Sequence, residues 1–405
     1  MNPPLDTTID AAMARHPTGR PAKRAGAGAT KRLSTRTPTA PSATMILLLG
    51  TVIGLLVIGL IWVLSASSVT QVRSHRSPWI YFERQLLWMA LGALAMAVGY
   101  RTDYRRWRPF AKPLLVLSLV LLALVLVPGV GIAVSGSTRW LGVGNWRMQP
   151  SELAKLAVLL FSADVLARRS GTELPLLAPV LTAFVITGSL IMLQPDMGTM
   201  LVLMSMVLGV LFVGGTPLRN LAALVTGAVL SAGVLGLVAP YRRARLLSFM
   251  HPFKDASNTG YQVVQGLVGM GSGGLWGIGI GASRAKWGFL PNAHTDFIFA
   301  IIGEEAGLIG SLLVVGLFVA FGVLGVRTAR RAPDRFGLLL AIGITSWVVA
   351  QAFINIGAVI GLVPVTGVPL PLVSFGGSSL MIVMGAVGVL LNVARQARAR
   401  QTRPE

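Results

Sequence analysis

Residues 45–66 read MILLLGTVIGLLVIGLIWVLSA. No charged side chain interrupts them, and the run reaches the ~20 residues a helix needs to cross the hydrocarbon of a bilayer. A cleaved signal peptide has a shorter apolar core close to the N-terminus, so this run is expected to be a retained first span. Similar runs follow at roughly 85–100, 112–128, 152–167, 175–193, 197–214, 217–239, 297–326, 336–361 and 370–393. The chain of 405 residues is 54% hydrophobic and 12% charged, about half the ~25% charged fraction of a soluble domain. The fold expected is all-α and polytopic, with about ten transmembrane helices.

Residues 1–44 are basic and rich in Pro, Thr and Ala. That composition cannot bury a core, so a disordered cytoplasmic tail is expected. Residues 45–394 form the membrane domain, and 395–405 a short basic tail. Lys and Arg concentrate in RTDYRRWRPFAK, ARRS, RTARRAPDR and the C-terminal ARQARARQTR. Placing both termini in the cytoplasm puts all four on the positive-inside side. The same placement accounts for most of the net charge of +21 and leaves no case for nucleic acid as a partner. With no cysteine in the chain, disulfide frameworks and thiol chemistry are excluded. Two substantial segments remain outside: about 129–151, and a large loop of about 240–296 between helices seven and eight.

Four constellations fall on that outer side. In STRWLGVGNWRMQPSELAKLA, Ser151 is a plausible N-cap. Glu152 and Lys155 stand three apart on one helical face. Lys155 lies about 6 Å into the span, where an ionisable group is a functional candidate by default. In LQPDMGTM, Asp196 sits at a helix break, where it either serves a function or compensates the helix dipole. In LPNAHTDFIFAIIGEE, residues 290–305, Thr295 or Asp296 is expected to cap the eighth span. On a continuous helix Asp296 and Glu304 line one side at two depths, about 12 Å apart along the axis, and Glu305 points away. His294 accompanies them. In VPVTGVPLPLVSFGGSSLM, Pro364, Pro369 and Pro371 disfavour helix before GGSS, residues 376–379, which include Ser378 and allow close packing.

Cations crowd a side that should be poor in them: Arg139, Arg147, Arg242, Arg243, Arg245, Arg284 and Lys286. Anionic headgroups explain these, and so does a pyrophosphate-bearing lipid, whose oxygens match the guanidinium fork. GMGSGGLWG offers a nominal G-x-G-x-x-G without a βαβ setting, so a dinucleotide site is not expected. No ATPase loop is present. The four His residues show no zinc spacing, and no metal-ligand set is assigned.

RWLGVGNWRMQPSELAKLA, QPDMGT, SGGLWGIGIGASRAKWGFLPNAHTDFIFAIIGEEAGLIG and GVPLPLVSFGGSS together resemble the SEDS (shape, elongation, division and sporulation) family, in order, over about residues 45–394. The third stretch looks more like the division branch than the elongation branch. The resemblance implies a peptidoglycan glycosyltransferase that polymerises lipid II into β-1,4-linked glycan with inversion at the anomeric carbon. It also implies work beside a class B penicillin-binding transpeptidase and other divisome membrane proteins, at the septum of the bacterial cytoplasmic membrane. It places the catalytic acid on Asp296, and carries functional importance to Arg139, Trp140, Glu152, Lys155 and Asp196. His294, Glu304, Arg243 and Ser378 are supporting candidates for binding lipid II or the undecaprenyl-pyrophosphate-linked glycan. A divalent cation, Mg or Mn, is compatible with the family. Many members carry Glu between the Pro and the Ala-His of this motif, where this chain has Asn292. Two other readings are a lipid II flippase, with Gln351 and Asn355 lining a path, and a non-catalytic divisome scaffold.

Overall fold

The computed structural model describes residues 42–73, 75–134, 137–144, 146–168, 174–238, 249, 253 and 260–401. Residues 1–41 of the expected tail lie outside the described residues, as do Arg242, Arg243 and Arg245. Each expected apolar run coincides with a helix. In order these are α1 (Ala43–Arg73), α2 (Ile80–Arg101), α3 (Ala111–Val125), α4 (Pro150–Arg168), α5 (Leu174–Leu193), α6 (Met197–Val213) and α7 (Leu218–Val238). A shorter α8 (Tyr261–Gly273) precedes α9 (Ile298–Arg330), α10 (Arg335–Val359) and α11 (Ser378–Gln401). Among the described residues, five helical segments are long and apolar enough to cross a membrane: α1, Tyr104–Val125, α9, α10 and the Ser378–Ala397 part of α11.

Three boundaries differ from expectation for local reasons. Helix α1 starts two residues early, where the Ser42 hydroxyl accepts the Met45 N–H at 3.2 Å as an N-cap. The run expected to begin at 370 becomes helical only at Ser378, because Pro364, Pro369 and Pro371 bring no amide donor to a helix. At its other end α11 continues through the expected basic tail to Gln401.

The all-α expectation needs correction between α3 and α4. There the chain forms an antiparallel meander of β1 (Ile132–Val134), β2 (Ser137–Val143) and β3 (Trp146–Met148). Trp140 pairs with Ile132, and Gly142 with Arg147. Thr138 and Trp140 suit a pleated surface, but strands this short leave little periodicity to read.

Contacts define the two ends of the helical domain. At the basic end, the Tyr104 hydroxyl donates to Asp334 at 2.9 Å and Arg105 Nε meets the same carboxylate at 2.7 Å. Asp334 also caps α10 by accepting from the Gly337 N–H at 2.8 Å. Arg108 pairs with Asp164 near the end of α4, and Arg335 donates to Gly214 O just beyond α6. The opposite end gathers the N-termini of α4, α6, α9 and α11.

Helix α9 is interrupted near that opposite end. Gly307 takes φ 66°, ψ −161°, a conformation open only to glycine. The carbonyls of Glu304 and Glu305 accept from Ile278 N–H (3.0 Å) and Gly279 N–H (3.1 Å) instead of from their own helix. In exchange, Leu308 N–H and Ile309 N–H donate to Gly274 O (2.9 Å) and Leu275 O (3.3 Å). The segment after α8 is thereby stitched into the break.

Candidate functional site

Asp196 sits at the N-cap of α6. Its Oδ1 accepts from Thr199 N–H at 3.1 Å and its Oδ2 from the Thr199 hydroxyl at 2.9 Å. The cap leaves the carboxylate free for further partners. Gln149 Nε2 donates to Oδ2 at 3.1 Å, and Arg139 Nη1 lies 3.6 Å from Oδ1. Arg139 on β2 also donates through Nε to Gln194 O at 3.1 Å and through Nη2 to Pro195 O at 2.5 Å. The meander therefore delivers a guanidinium to the loop before α6, with a fifth of its side chain still accessible. Ser378, at the start of α11, closes the group by accepting the Gln149 N–H at 3.2 Å. Trp140, the next residue on β2, is half-buried.

The first turn of α6 rests on residues 366–368. A Cβ on Gly198 would collide with the Val368 side chain and the Thr366 backbone, so the two segments meet only because that position is bare. Between those residues stands Gly367, with φ +70°. On its other side is the Asp296 carboxylate, 3.6 Å from where a Gly367 Cβ would lie. Residues 366–368 thus form the strip on which the neighbourhoods of Asp196 and Asp296 abut.

Asp296 does not occupy the N-cap position of α9. The N-cap position of α9 is Phe297, which makes no side-chain cap bond, and the Thr295 hydroxyl turns back to Asn292 O at 3.2 Å. The backbone before α9 is held from outside instead. Phe375 N–H donates to His294 O at 3.0 Å, the Ser374 hydroxyl to Thr295 O at 2.6 Å, and Asn355 Nδ2 to Asp296 O at 2.8 Å. The His294 ring lies 4.5 Å from Tyr81 and 6.0 Å from Phe375, centroid to centroid. Burial in this aromatic setting pushes its pKa down to about 4, so the ring is neutral at physiological pH and offers no fixed charge to an anion. Asn292 takes φ 57°, in the left-handed region that Asn enters more cheaply than most side chains. That conformation is a local reason for Asn at this position.

Glu152 and Lys155, expected on one helical face, do meet, but in an enclosed setting. They form an ion pair of 2.9 Å, and both are essentially inaccessible. Lys155 Nζ also donates to Gln351 Oε1 at 2.9 Å and lies 4.9 Å from the centroid of the Trp347 ring. Enclosure on every side leaves Arg139, not Lys155, as the cation of the two open to a ligand. Ser151 does not cap α4, which already begins at Pro150, and its hydroxyl is buried without a partner.

Glu304 and Glu305 also depart from expectation. The continuous-helix geometry fails, because Asp296 precedes α9 and the helix breaks at Gly307. Glu304 accepts from the Ser283 hydroxyl and from the Arg284 and Ala285 N–H groups, at 2.8 and 3.3 Å for the latter two. Glu305 does not point away from that loop. It pairs with Lys286 at 3.1 Å and accepts from the Ser65 hydroxyl of α1 at 2.6 Å. Two adjacent buried carboxylates thus anchor one loop, and Lys286, counted above among cations awaiting an anion, is neutralised within the chain. Arg284 and Arg147 remain exposed. Among the described residues no group of three or more His, Asp or Glu side chains fits a metal ion, and no step is assigned to one.

The fold and site define a membrane-embedded protein whose polar centre lies where four helix N-termini meet. The chain belongs to the family described as Cell cycle protein, the FtsW, RodA and SpoVE group, which it matches over residues 45–399. It is 43% identical to Stage V sporulation protein E of Bacillus subtilis, over 85% of this chain and 95% of that one. It is 38% identical to the probable peptidoglycan glycosyltransferase FtsW of Geobacter metallireducens, over 84% of this chain and 92% of the other. Among solved structures, one described as a peptidoglycan synthase complex that coordinates polymerization and crosslinking superposes with a TM-score of 0.73. It is 30% identical, and the match covers 86% of this chain and 97% of that one. The rod shape determining protein RodA of Thermus thermophilus gives a TM-score of 0.65 at 30% identity, covering 86% and 96% of the two chains.

Proposed function

We propose that the chain is a peptidoglycan glycosyltransferase that polymerises lipid II on the outer face of the bacterial cytoplasmic membrane, with ten spanning helices and both termini inside. The charge distribution supports this orientation: Arg101, Arg105, Arg106, Arg108, Arg327, Arg330, Arg331 and Arg335 gather at the end opposite the site. Membership of the family and the names of the relatives support the activity.

The observation that carries the reaction is that Asp296, held by its backbone, and the first turn of α6, whose Asp196 orients the accessible Arg139, lie against the same strip, residues 366–368. In the proposed step Asp296 takes the proton from the 4-hydroxyl of the acceptor sugar. The resulting oxygen attacks the anomeric carbon of the donor sugar from the face opposite the pyrophosphate. The carbon–oxygen bond to the pyrophosphate breaks, and a β-1,4 bond forms with inversion. Arg139, oriented by Asp196 and by the Gln194 and Pro195 carbonyls, stabilises the charge gathering on the leaving pyrophosphate. Trp140 and Ser378 border the same region as candidate substrate contacts, and the undecaprenyl chain remains in the bilayer.

A class B penicillin-binding transpeptidase is the proposed partner, supported by the likeness to a polymerising and crosslinking complex. Septal synthesis with other divisome membrane proteins is the proposed setting, supported by the FtsW relatives. The flippase path loses its two marker residues, since the Gln351 and Asn355 amides are both spent on backbone carbonyls. Purified protein in liposomes containing lipid II tests the proposal. Glycan polymer is expected, whereas lipid II crossing between leaflets without polymer would overturn it.

A further inference from the structure

We propose that Asn355 is a positioning residue for Asp296, an inference that rests on the catalytic reading of Asp296 given above. Asp296 stands outside α9, which begins at Ile298. Three consecutive carbonyls, those of His294, Thr295 and Asp296, are gripped by Phe375, Ser374 and Asn355. The last grip differs in kind. Asn355 Nδ2 donates to Asp296 O at 2.8 Å and also to Val368 O at 2.7 Å. A single amide group therefore fixes the aspartate backbone against the segment that contains Gly367, and the Asp296 carboxylate lies against that glycine.

The amide is retained for its donors. Asn355 is buried, and its Oδ1 meets no hydrogen-bond partner. One turn earlier on the same face of α10, Gln351 Nε2 donates to Pro369 O at 3.0 Å. Gln351 is fixed in turn by Lys155 and Trp347, each donating to its Oε1 at 2.9 Å. The buried Glu152–Lys155 pair thus reaches the site through Gln351, as a support for residues 367–369. Two amides four residues apart bracket that segment, and Asn355 extends the bracket to Asp296. Loss of the bracket removes the tie between the Asp296 backbone and residue 368 without altering any side chain proposed to touch the substrate.

The test uses the full chain with its transpeptidase partner and measures lipid II polymerisation by steady-state kinetics. Asn355→Leu keeps the side-chain volume and removes both donors. It is expected to lower kcat by roughly a hundredfold, the order associated with a 1 Å misplacement, with KM changed by less than about threefold. Where the Leu variant fails to fold, Asn355→Ser serves instead, with the same split expected. A folded variant lacking the amide that keeps kcat, or one that loses activity only through KM, overturns the proposal. Asp296→Asn in the same assay separates the two readings. If Asp296→Asn remains active, the catalytic reading falls and the positioning role with it. If it is inactive while Asn355→Leu is active, only the positioning role falls.

Discussion

Arg139 and Asp196 stand 3.6 Å apart, Nη1 to Oδ1, across the junction of the β-meander and α6. The aspartate does two jobs there, capping the helix through Thr199 and orienting the guanidinium, and the two can be separated. Asn caps about as well as Asp. Asp196→Asn is therefore expected to keep thermal stability within about 0.5 kcal/mol and to lower kcat/KM by roughly tenfold, the order of one charge-assisted contact. Asp196→Ala should lose the same activity and about 1 kcal/mol of stability besides. Thermal unfolding and polymerisation rates of the two variants check this. Equal stability of both would remove the capping role.

The loop at 283–287 depends on buried charge. Glu305→Gln leaves Lys286 without its counter-ion in an enclosed site, a change of the kind that costs about 3–5 kcal/mol. Lys286→Met is expected to cost a similar amount by stranding Glu305. The double variant Lys286→Met/Glu305→Gln should recover much of the loss, because neither charge is then left alone. A double-mutant cycle read by thermal unfolding in detergent checks it, and simple additivity would contradict the pairing.

Asn292 is expected to be held by its backbone conformation. Asn292→Gly should be neutral within about 0.5 kcal/mol, because glycine also accepts positive φ. Asn292→Glu should lose about 1 kcal/mol, the order of cost of the left-handed region for an ordinary side chain. A fully stable Glu variant would show that the turn relaxes.

His294 supplies a pH dependence. Its folded pKa of about 4 lies below the ordinary 6.5. Above that ordinary value the ring is neutral in both states and costs nothing. Between 6.5 and about 4 the unfolded chain takes up a proton that the folded chain refuses, so stability falls as pH drops through this window. Thermal midpoints from pH 7.5 down to 4.5 should fall more steeply in the parent than in His294→Gln. Parallel curves would refute the assignment.

The helical architecture was legible because uninterrupted apolar length is a strong signal, as residues 45–66 illustrate. The β-meander was not, since strands of three to seven residues offer too few alternations. The convergence of Arg139 on Asp196 was half-visible: Asp196 stood out at a helix break and Arg139 among the outer cations, but nothing local links positions 57 residues apart. The Glu304–Glu305 arrangement was misread for a definite reason. Helical geometry was extended back to Asp296, which precedes α9, and nothing local shows that residues 283–286 pack against both carboxylates. The depth of Lys155 along the span was legible, but its enclosure against Gln351 and Trp347 of α10 was not. Gln351 and Asn355 looked like the polar lining of a path, and only tertiary structure shows where their amides go.

Polymerisation of lipid II by the Asp296→Asn protein tests the proposed chemistry most directly. The substitution keeps the shape of the side chain and the backbone bonds to Asn355 and Ser374, and removes the basic oxygen. A folded protein that still binds lipid II but forms polymer at least about a thousandfold more slowly is the expected result, within the range assigned to general base catalysis. Polymerisation at a rate near that of the parent would show that the proton goes elsewhere.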